Sequence, residues 1–248
     1  MGYNLVDCIA VRNDKTVYRD GDAVIKVFGK SYSDSAVLNE ALLHSRVESL
    51  GLKVPHLREV CKIDGKWAIC MDYIDGERLS CKIDADKEGK DKYVDLFVSL
   101  QSDVLSRRMP NLVMLKDKLN RKICDADLDA TVRYFLHGLL EKVPKKAVLC
   151  HGDFVPENIV IGKNGEAYIM DWSHAAQGNE EADVARTYIL LNLNGKTDFA
   201  ESYLEKYVLK SGKEIEVIKK WLPIVAASML SDYAEQGNEL KKWIKFTD

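Results

Sequence analysis

Short apolar runs broken by turn residues fill the first quarter of the chain, and helical spacing fills most of the rest. Residues 23–28, Ala-Val-Ile-Lys-Val-Phe, form a β-branched strand with one lysine at its centre. Runs at 60–63 and 66–71 flank Asp64-Gly65, a two-residue hairpin signal. Runs at 8–11 and 17–19 flank a turn at 12–16. From about 36 to 50 the pattern becomes helical, and Gly51 marks its end. On that helix Ala36, Glu40, Leu43 and Val47 share one face, so Glu40 sits among apolar neighbours. An inward carboxylate needs a partner, because an unpaired buried charge is costly. Lys26 is the candidate. The simpler alternative is an exposed glutamate with the apolar face one step round, opposite an ordinary strand lysine.

Beyond residue 80 the chain is mostly helical. The mixed charge run 84–92 reads as a solvated loop and helix start. Tyr93, Leu96, Phe97 and Leu100 mark an amphipathic helix, and further helices are expected at about 112–123 and 127–141. Apolar runs at 159–161 and 167–170 then flank Gly162-Lys163-Asn164-Gly165. Two strands joined by an Asn-Gly turn make a β-hairpin. Counted from a centre between 164 and 165, positions 158 and 171 are equally distant, which places Asn158 beside Asp171 at the open end. From 198 onward helices resume, with Pro223 kinking or starting one. A last helix is expected to pack Trp243 and Phe246 inward rather than to anchor a membrane surface.

Composition narrows the functional classes. The 248 residues are ordinarily globular, with 46% hydrophobic positions, 30% charged positions and a net charge of −3. No basic stripe suggests nucleic acid, and no apolar run approaches the ~18 residues of a membrane span. The opening residues lack the pattern of a signal peptide, and Val6 breaks a myristoylation motif. Six cysteines lack a C-x-x-C pair, several lie in apolar runs, and the five histidines show no zinc spacing. A cytoplasmic protein with reduced thiols is expected, as a monomer or weak dimer.

The chemistry concentrates at 148–172. His151-Gly152-Asp153 is followed by Asn158 and, after the hairpin, Asp171. Four residues separate Asp153 from Asn158, the spacing of the H-R-D-x-x-x-x-N kinase loop with Gly152 in place of arginine. An amide oxygen beside a carboxylate suits Mg²⁺, and Asp153 can orient a hydroxyl and accept its proton. A tripeptide of this kind can also serve only as a turn. Its combination with two flanking strands favours chemistry.

Read together, "HGDFVPENIVI" and "YIMDWSHAAQGNEEADVARTYILL" resemble the aminoglycoside phosphotransferase family, the APH or choline-kinase-like branch of the protein-kinase superfamily. The resemblance is strongest from 148 to 191 and extends weakly back to 18. It implies an α+β, two-lobed protein-kinase-like fold. A small antiparallel-sheet lobe with one key helix would span 1–71, a hinge 72–76, and a larger helical lobe 77–248. By position, Asp153 resembles the catalytic base, Asn158 and Asp171 the metal ligands, and Asp183 the aspartate that braces the loop. His151 resembles the loop's structural histidine. Lys26 and Glu40 resemble the pair that positions phosphates, and backbone groups near Asp72 and Ile74 would meet the purine. The implied cofactors are ATP or GTP with Mg²⁺, and the implied partner is a small-molecule hydroxyl acceptor.

Two departures stand out. Trp172-Ser173 replaces Phe-Gly after the metal aspartate, and no glycine triplet precedes the Lys26 strand. The turn there is 12–16, where the Asp14 carboxylate would not welcome phosphate. The acceptor stays open. An aminoglycoside polycation would want carboxylates such as Glu180, Glu181, Asp232 or Glu235. A choline-like or ethanolamine-like amine would want an aromatic cage, for which Trp172, Tyr188, Trp221 and Tyr233 are available. The short interval between hinge and catalytic loop favours a small metabolite. A nucleotide-binding scaffold without catalysis is the alternative from another class. A protein kinase is disfavoured, because no A-P-E stretch closes an activation segment.

Overall fold

Side chains alternate along a strand, and that alternation builds the first sheet. The structure is a computed structural model that describes residues 2–12, 14–86 and 88–244. In it β1 (Asp7–Arg12), β2 (Lys15–Asp20), β3 (Ala23–Phe28), β4 (Leu57–Ile63) and β5 (Lys66–Asp72) pair antiparallel in the order β1-β2-β3-β5-β4. Ala23, Ile25 and Val27 join Ala68 and Cys70 on one face, covered by Tyr3, Leu5 and Tyr18. Phe28, Ile69 and Met71 take the other face, where α1 (Asp34–Glu48) lays down Val37 and Ala41. Lys26, alternating with Ile25 and Val27, falls on the α1 side. The Ser33 hydroxyl accepts the Ala36 amide at 3.2 Å and caps α1. Gly51, at φ +73°, turns the chain away soon after the helix ends.

The predicted apolar face of α1 is misplaced by one step. Its buried side chains are Val37, Ala41, Leu43, His44 and Val47, while Ala36 is exposed. Glu40 borders this face rather than lying within it.

The two hairpin signals resolve differently. Ile63 pairs with Lys66, and Asp64 and Gly65 adopt φ of 48° and 77°, so this is the two-residue turn expected. Around Asn164 the register pairs Ile159 with Ile169 and Ile161 with Ala167, which centres on Asn164 itself. The Gly162 amide donates to the Glu166 carbonyl at 2.9 Å, and Gly165 sits at φ +79°. The loop therefore has three residues and ends in a left-handed glycine. Asn158 faces Met170, whose amide donates to the Asn158 carbonyl at 2.8 Å, and Asp171 comes one residue later. β6 (Gly76–Arg78) completes a three-stranded sheet with the hairpin strands Ile159–Gly162 and Ala167–Ile169.

By contact, the chain forms two compact units, Met1–Lys82 with Pro156–Ser173 and Ile83–Val155 with His174–Asp248. The hairpin belongs with the five-stranded sheet, whereas the division at 71 and 76 leaves it in the C-terminal lobe. In the second unit, helix Lys90–Ser106 buries Val94, Phe97, Val98, Gln101, Val104 and Leu105. Of the four positions expected to face inward only Phe97 is fully buried, with ring centroids of Phe154, Tyr203 and Phe199 at 4.7, 5.4 and 5.6 Å. The next helices are Leu115–Asp125 and Ala130–Lys142, the latter capped by Asp129. Pro223 lies in the first turn of helix Leu222–Met229 and so starts it. Trp243 packs on Tyr188 with centroids 5.5 Å apart, while Phe246 lies outside the described residues. All six cysteines are free; only Cys70 and Cys150 are buried. Among the described residues no helix is long and apolar enough to cross a membrane.

Candidate active site

A cavity of about 330 Å³ lies within the first unit. Val17, Val24, Ile69, Met71 and Ile74 give it apolar walls, and Lys15, Lys26, Glu40, Asn158 and Asp171 are among its polar lining, with Arg78 and Glu157. The volume is at the small end of ligand-binding clefts. Lys26 Nζ lies 2.5 Å from Glu40 Oε1 and 3.7 Å from Asp171 Oδ1. Burial works against the Lys26 charge, but the Asp171 and Glu40 carboxylates outweigh it and hold its pKa above the usual lysine value. Lys26 is therefore a fixed cation facing the cavity. Asp171 reaches the cavity by leaving the strand at φ +55°, a left-handed conformation that non-glycine residues rarely adopt, and its Oδ1 accepts the Ser173 hydroxyl at 2.9 Å. Trp172 is buried, with Nε1 donating to the Ile169 carbonyl at 3.1 Å.

Asp72 and Ile74 part company. Ile74 lines the cavity with Tyr73. Asp72 does not: its amide donates to His56 at 2.9 Å, and its carboxylate accepts from Arg58 at 2.6 Å. The expected purine contact near Asp72 thus loses that residue's N–H. Asp14 accepts the Ser31 amide at 2.8 Å, which lowers its pKa and ties its charge to the 29–31 segment. Asn13, in the same turn, lies outside the described residues.

The catalytic-loop residues of the second unit are assembled by hydrogen bonds. Asp183 is buried in helix Glu180–Leu193, and its Oδ1 accepts the Gly152 amide at 2.7 Å. Its Oδ2 accepts from Gln101 Nε2 at 3.2 Å, which also donates to Thr187 Oγ1 at 3.1 Å. The Tyr203 hydroxyl donates to Gln101 Oε1 and closes the network. His151 is fully buried; its Nδ1 accepts the Asp153 amide at 3.1 Å, and its ring packs edge-on to Phe154. Gly152 explains its own presence. It sits at φ +78°, and a Cβ there would come 2.7 Å from the His174 carbonyl oxygen. An arginine cannot take that place.

Sequence reasoning missed three cations. Lys15 Nζ lies 3.5 Å from Glu40 Oε2, and Lys15 pairs across the sheet with Phe28, a register the β2–β3 turn could have revealed. Arg186 follows Asp183 by three residues, hence on one helix face, and its Nε donates to the Gly152 carbonyl. Lys118 Nζ donates to the His174 carbonyl at 2.9 Å; no sequence pattern marks it.

An antiparallel sheet whose Lys26 pairs with Glu40 of α1, together with a braced His-Gly-Asp loop on a helical unit, is the architecture of a kinase-like fold. Residues 11–217 match the model of the phosphotransferase enzyme family, APH, and the chain belongs to that family. It is accordingly a phosphotransferase. No curated protein matches the chain. A thermostable mutant of the aminoglycoside phosphotransferase APH(4)-Ia, solved as a ternary complex with AMP-PNP and hygromycin B, shares the fold. Its TM-score is 0.70 at 14% identity, over 96% of this chain and 89% of that one. The choline kinase LicA from Streptococcus pneumoniae aligns at TM-score 0.63 and 16% identity, over 97% and 94%. A choline/ethanolamine kinase family protein from Mesorhizobium loti aligns at 0.60 and 15%, over 94% and 82%.

Proposed function

We propose that this enzyme transfers the γ-phosphate of ATP, or of GTP, to a hydroxyl of a small molecule. The observation that carries the reading is the first unit's cavity, apolar on its walls and lined by Lys26, Glu40, Asn158 and Asp171. A purine fits the apolar part beside Ile74, and Lys26, held by Glu40, meets the phosphates. The Asn158 amide and Asp171 carboxylate are hard oxygen donors that fit Mg²⁺, which would neutralise phosphate charge when bound. Asp153 orients the acceptor hydroxyl and takes its proton. The hydroxyl oxygen bonds to the γ-phosphorus as the bond to the β–γ bridging oxygen breaks, and that electron pair leaves with the nucleoside diphosphate. Asp183 and His151 hold the loop that carries Asp153. Most of the acceleration comes from positioning and charge stabilisation, with proton removal secondary.

Thermal denaturation with Mg²⁺ and ATP or GTP tests the reading. Nucleotide at about 100 times Kd stabilises by about 2.7 kcal/mol. Asp171→Ala should lose the Mg²⁺-dependent part of that shift. Asp153→Asn should keep it while kcat falls roughly 10²-fold or more. Equal turnover in both variants would refute the assignment, and no nucleotide shift at all would favour a scaffold.

A further inference from the structure

Three of the four carboxylates that could have received a cationic acceptor are paired with lysines, and the fourth, Glu235, is an exposed surface residue. Glu181 is buried, with Lys146 Nζ at 2.5 Å and Lys213 Nζ at 3.1 Å, and Glu180 pairs with the same two lysines at 3.2 and 2.9 Å. Asp232 pairs with Lys122. The aromatic cage fares no better. Trp221 is buried, and the Tyr188 hydroxyl donates to Glu201 Oε1 at 2.5 Å while Trp243 covers its ring.

What the second unit presents beside Asp153 is positive charge. Lys118 and Arg186 bracket Gly152: Lys118 binds the His174 carbonyl against which Gly152 packs, and Arg186 binds the Gly152 carbonyl itself. Each spends one donor on these contacts, leaving two on the ammonium and four on the guanidinium. Among the described residues neither has a carboxylate within ion-pair distance. Burial first, then Arg186, Lys122 and Arg121, push the Lys118 pKa down to about 8, against a smaller opposing pull from Asp232. Tyr233 lies with its ring 6.0 Å from the Arg186 guanidinium carbon and feels the Asp153 charge. Two adjacent half-buried cations with no carboxylate in ion-pair contact are expensive to hold, and an anionic group arriving there relieves both.

We propose that the phosphate acceptor is a small hydroxylated anion, a hydroxy acid or an alcohol phosphate, whose negative group is held by Lys118 and Arg186 while its hydroxyl lies at Asp153. This rests on the phosphotransferase reading above and narrows its acceptor to one charge class, distinct from polycations and quaternary amines.

The test is nucleoside diphosphate release with Mg²⁺-ATP across four arms: small hydroxy acids, alcohol phosphates, choline-type amines and an aminoglycoside. Turnover confined to the first two arms is expected, and which arm responds tells carboxylate from phosphate. Lys118→Met should raise KM for the anionic acceptor at least ~10-fold with KM for ATP within about two-fold, and Lys118→Arg should restore most of it. A binding measurement covers the case of a missing substrate. Inorganic phosphate should raise the melting temperature of the wild type more than that of Lys118→Met, and equal shifts would overturn the inference. Turnover of amines or aminoglycosides, undiminished by Lys118→Met, would overturn it too. Because the Mg²⁺-nucleotide shift is read separately, its presence alongside either result means that the acceptor inference alone has failed. Its absence means that the phosphotransferase reading has failed.

Discussion

Lys118→Met should make the protein more stable at neutral pH, although it removes a hydrogen bond. The ammonium is pushed from 10.5 to about 8, chiefly by burial and then by the neighbouring Arg186 charge. At ~1.36 kcal/mol per pH unit, holding the charged form in the fold costs about 3 kcal/mol. Methionine of similar length removes that cost but leaves the His174 carbonyl without the donor now 2.9 Å away, a loss of about 1 kcal/mol. The net gain is about 2 kcal/mol, or roughly 4–8 °C in Tm for a chain of this size. The sign follows from proton counts. Between about 8 and 10.5 the unfolded chain binds a proton at Lys118 that the folded chain does not, so wild-type stability rises with pH across that window. The advantage of the variant should therefore be constant below about pH 8 and shrink as pH climbs toward 10.5. Denaturation followed by circular dichroism from pH 6 to 10.5 measures both proteins. A variant less stable at pH 7, or a difference that ignores pH, would refute the account of Lys118 as a strained cation.

Other consequences can be checked directly. Among the described residues, Glu40→Gln leaves Lys26 with only the Asp171 carboxylate, 3.7 Å away, in ion-pair contact, so kcat/KM for nucleotide should fall ~10-fold or more in steady-state assays. Asp183→Ala strands the buried Gly152 amide and a Gln101 donor, and urea denaturation should show a loss of roughly 2–4 kcal/mol. The two histidines near α1 should titrate apart by NMR. His56, hydrogen-bonded to Glu48, has its pKa raised, so its contribution to stability is present below pH 6.5 and fades as pH rises through its own pKa. His44, buried on the Pro55 carbonyl, has its pKa lowered, so stability is lost as pH falls below 6.5. Coincident titrations would contradict both environments.

The spacing from Asp153 to Asn158 and the lysine in an apolar run were readable because each sits in an element with a strong local signature. Local signatures fix which element forms; they fix its rotation less well. Glu40 reaches Lys26 although the apolar face of α1 lies a step away from the one predicted, because a long side chain at the border of a buried face can still turn inward. Phe97 is central although its helix buries a different stripe, since a large ring tolerates that rotation. Lys118 and Arg186 were hidden for another reason. Their anchors are the backbone carbonyls of His174 and Gly152, and a carbonyl carries no residue identity for a sequence to display.

Asp171 shows how a correct turn signal can still misplace a proposed ligand. Had the Asn-Gly turn been two residues long, ladder symmetry would have carried Asn158 and Asp171 into opposition without strain. The three-residue loop moves the register centre to Asn164, so Met170 takes the position across from Asn158. Asp171 then depends on its φ of +55° to bring the carboxylate into the cavity with Lys26. Aspartate tolerates that region better than most residues, and a residue held there costs on the order of 1 kcal/mol. The strain falls on the residue whose carboxylate lies within reach of Lys26 and beside Asn158 in the cavity lining. A register fault that merely shortened the hairpin would be harmless in a structural strand. Here it sets the position of the proposed metal carboxylate, so the length of the 163–165 loop belongs to the chemistry of the site as much as to its fold.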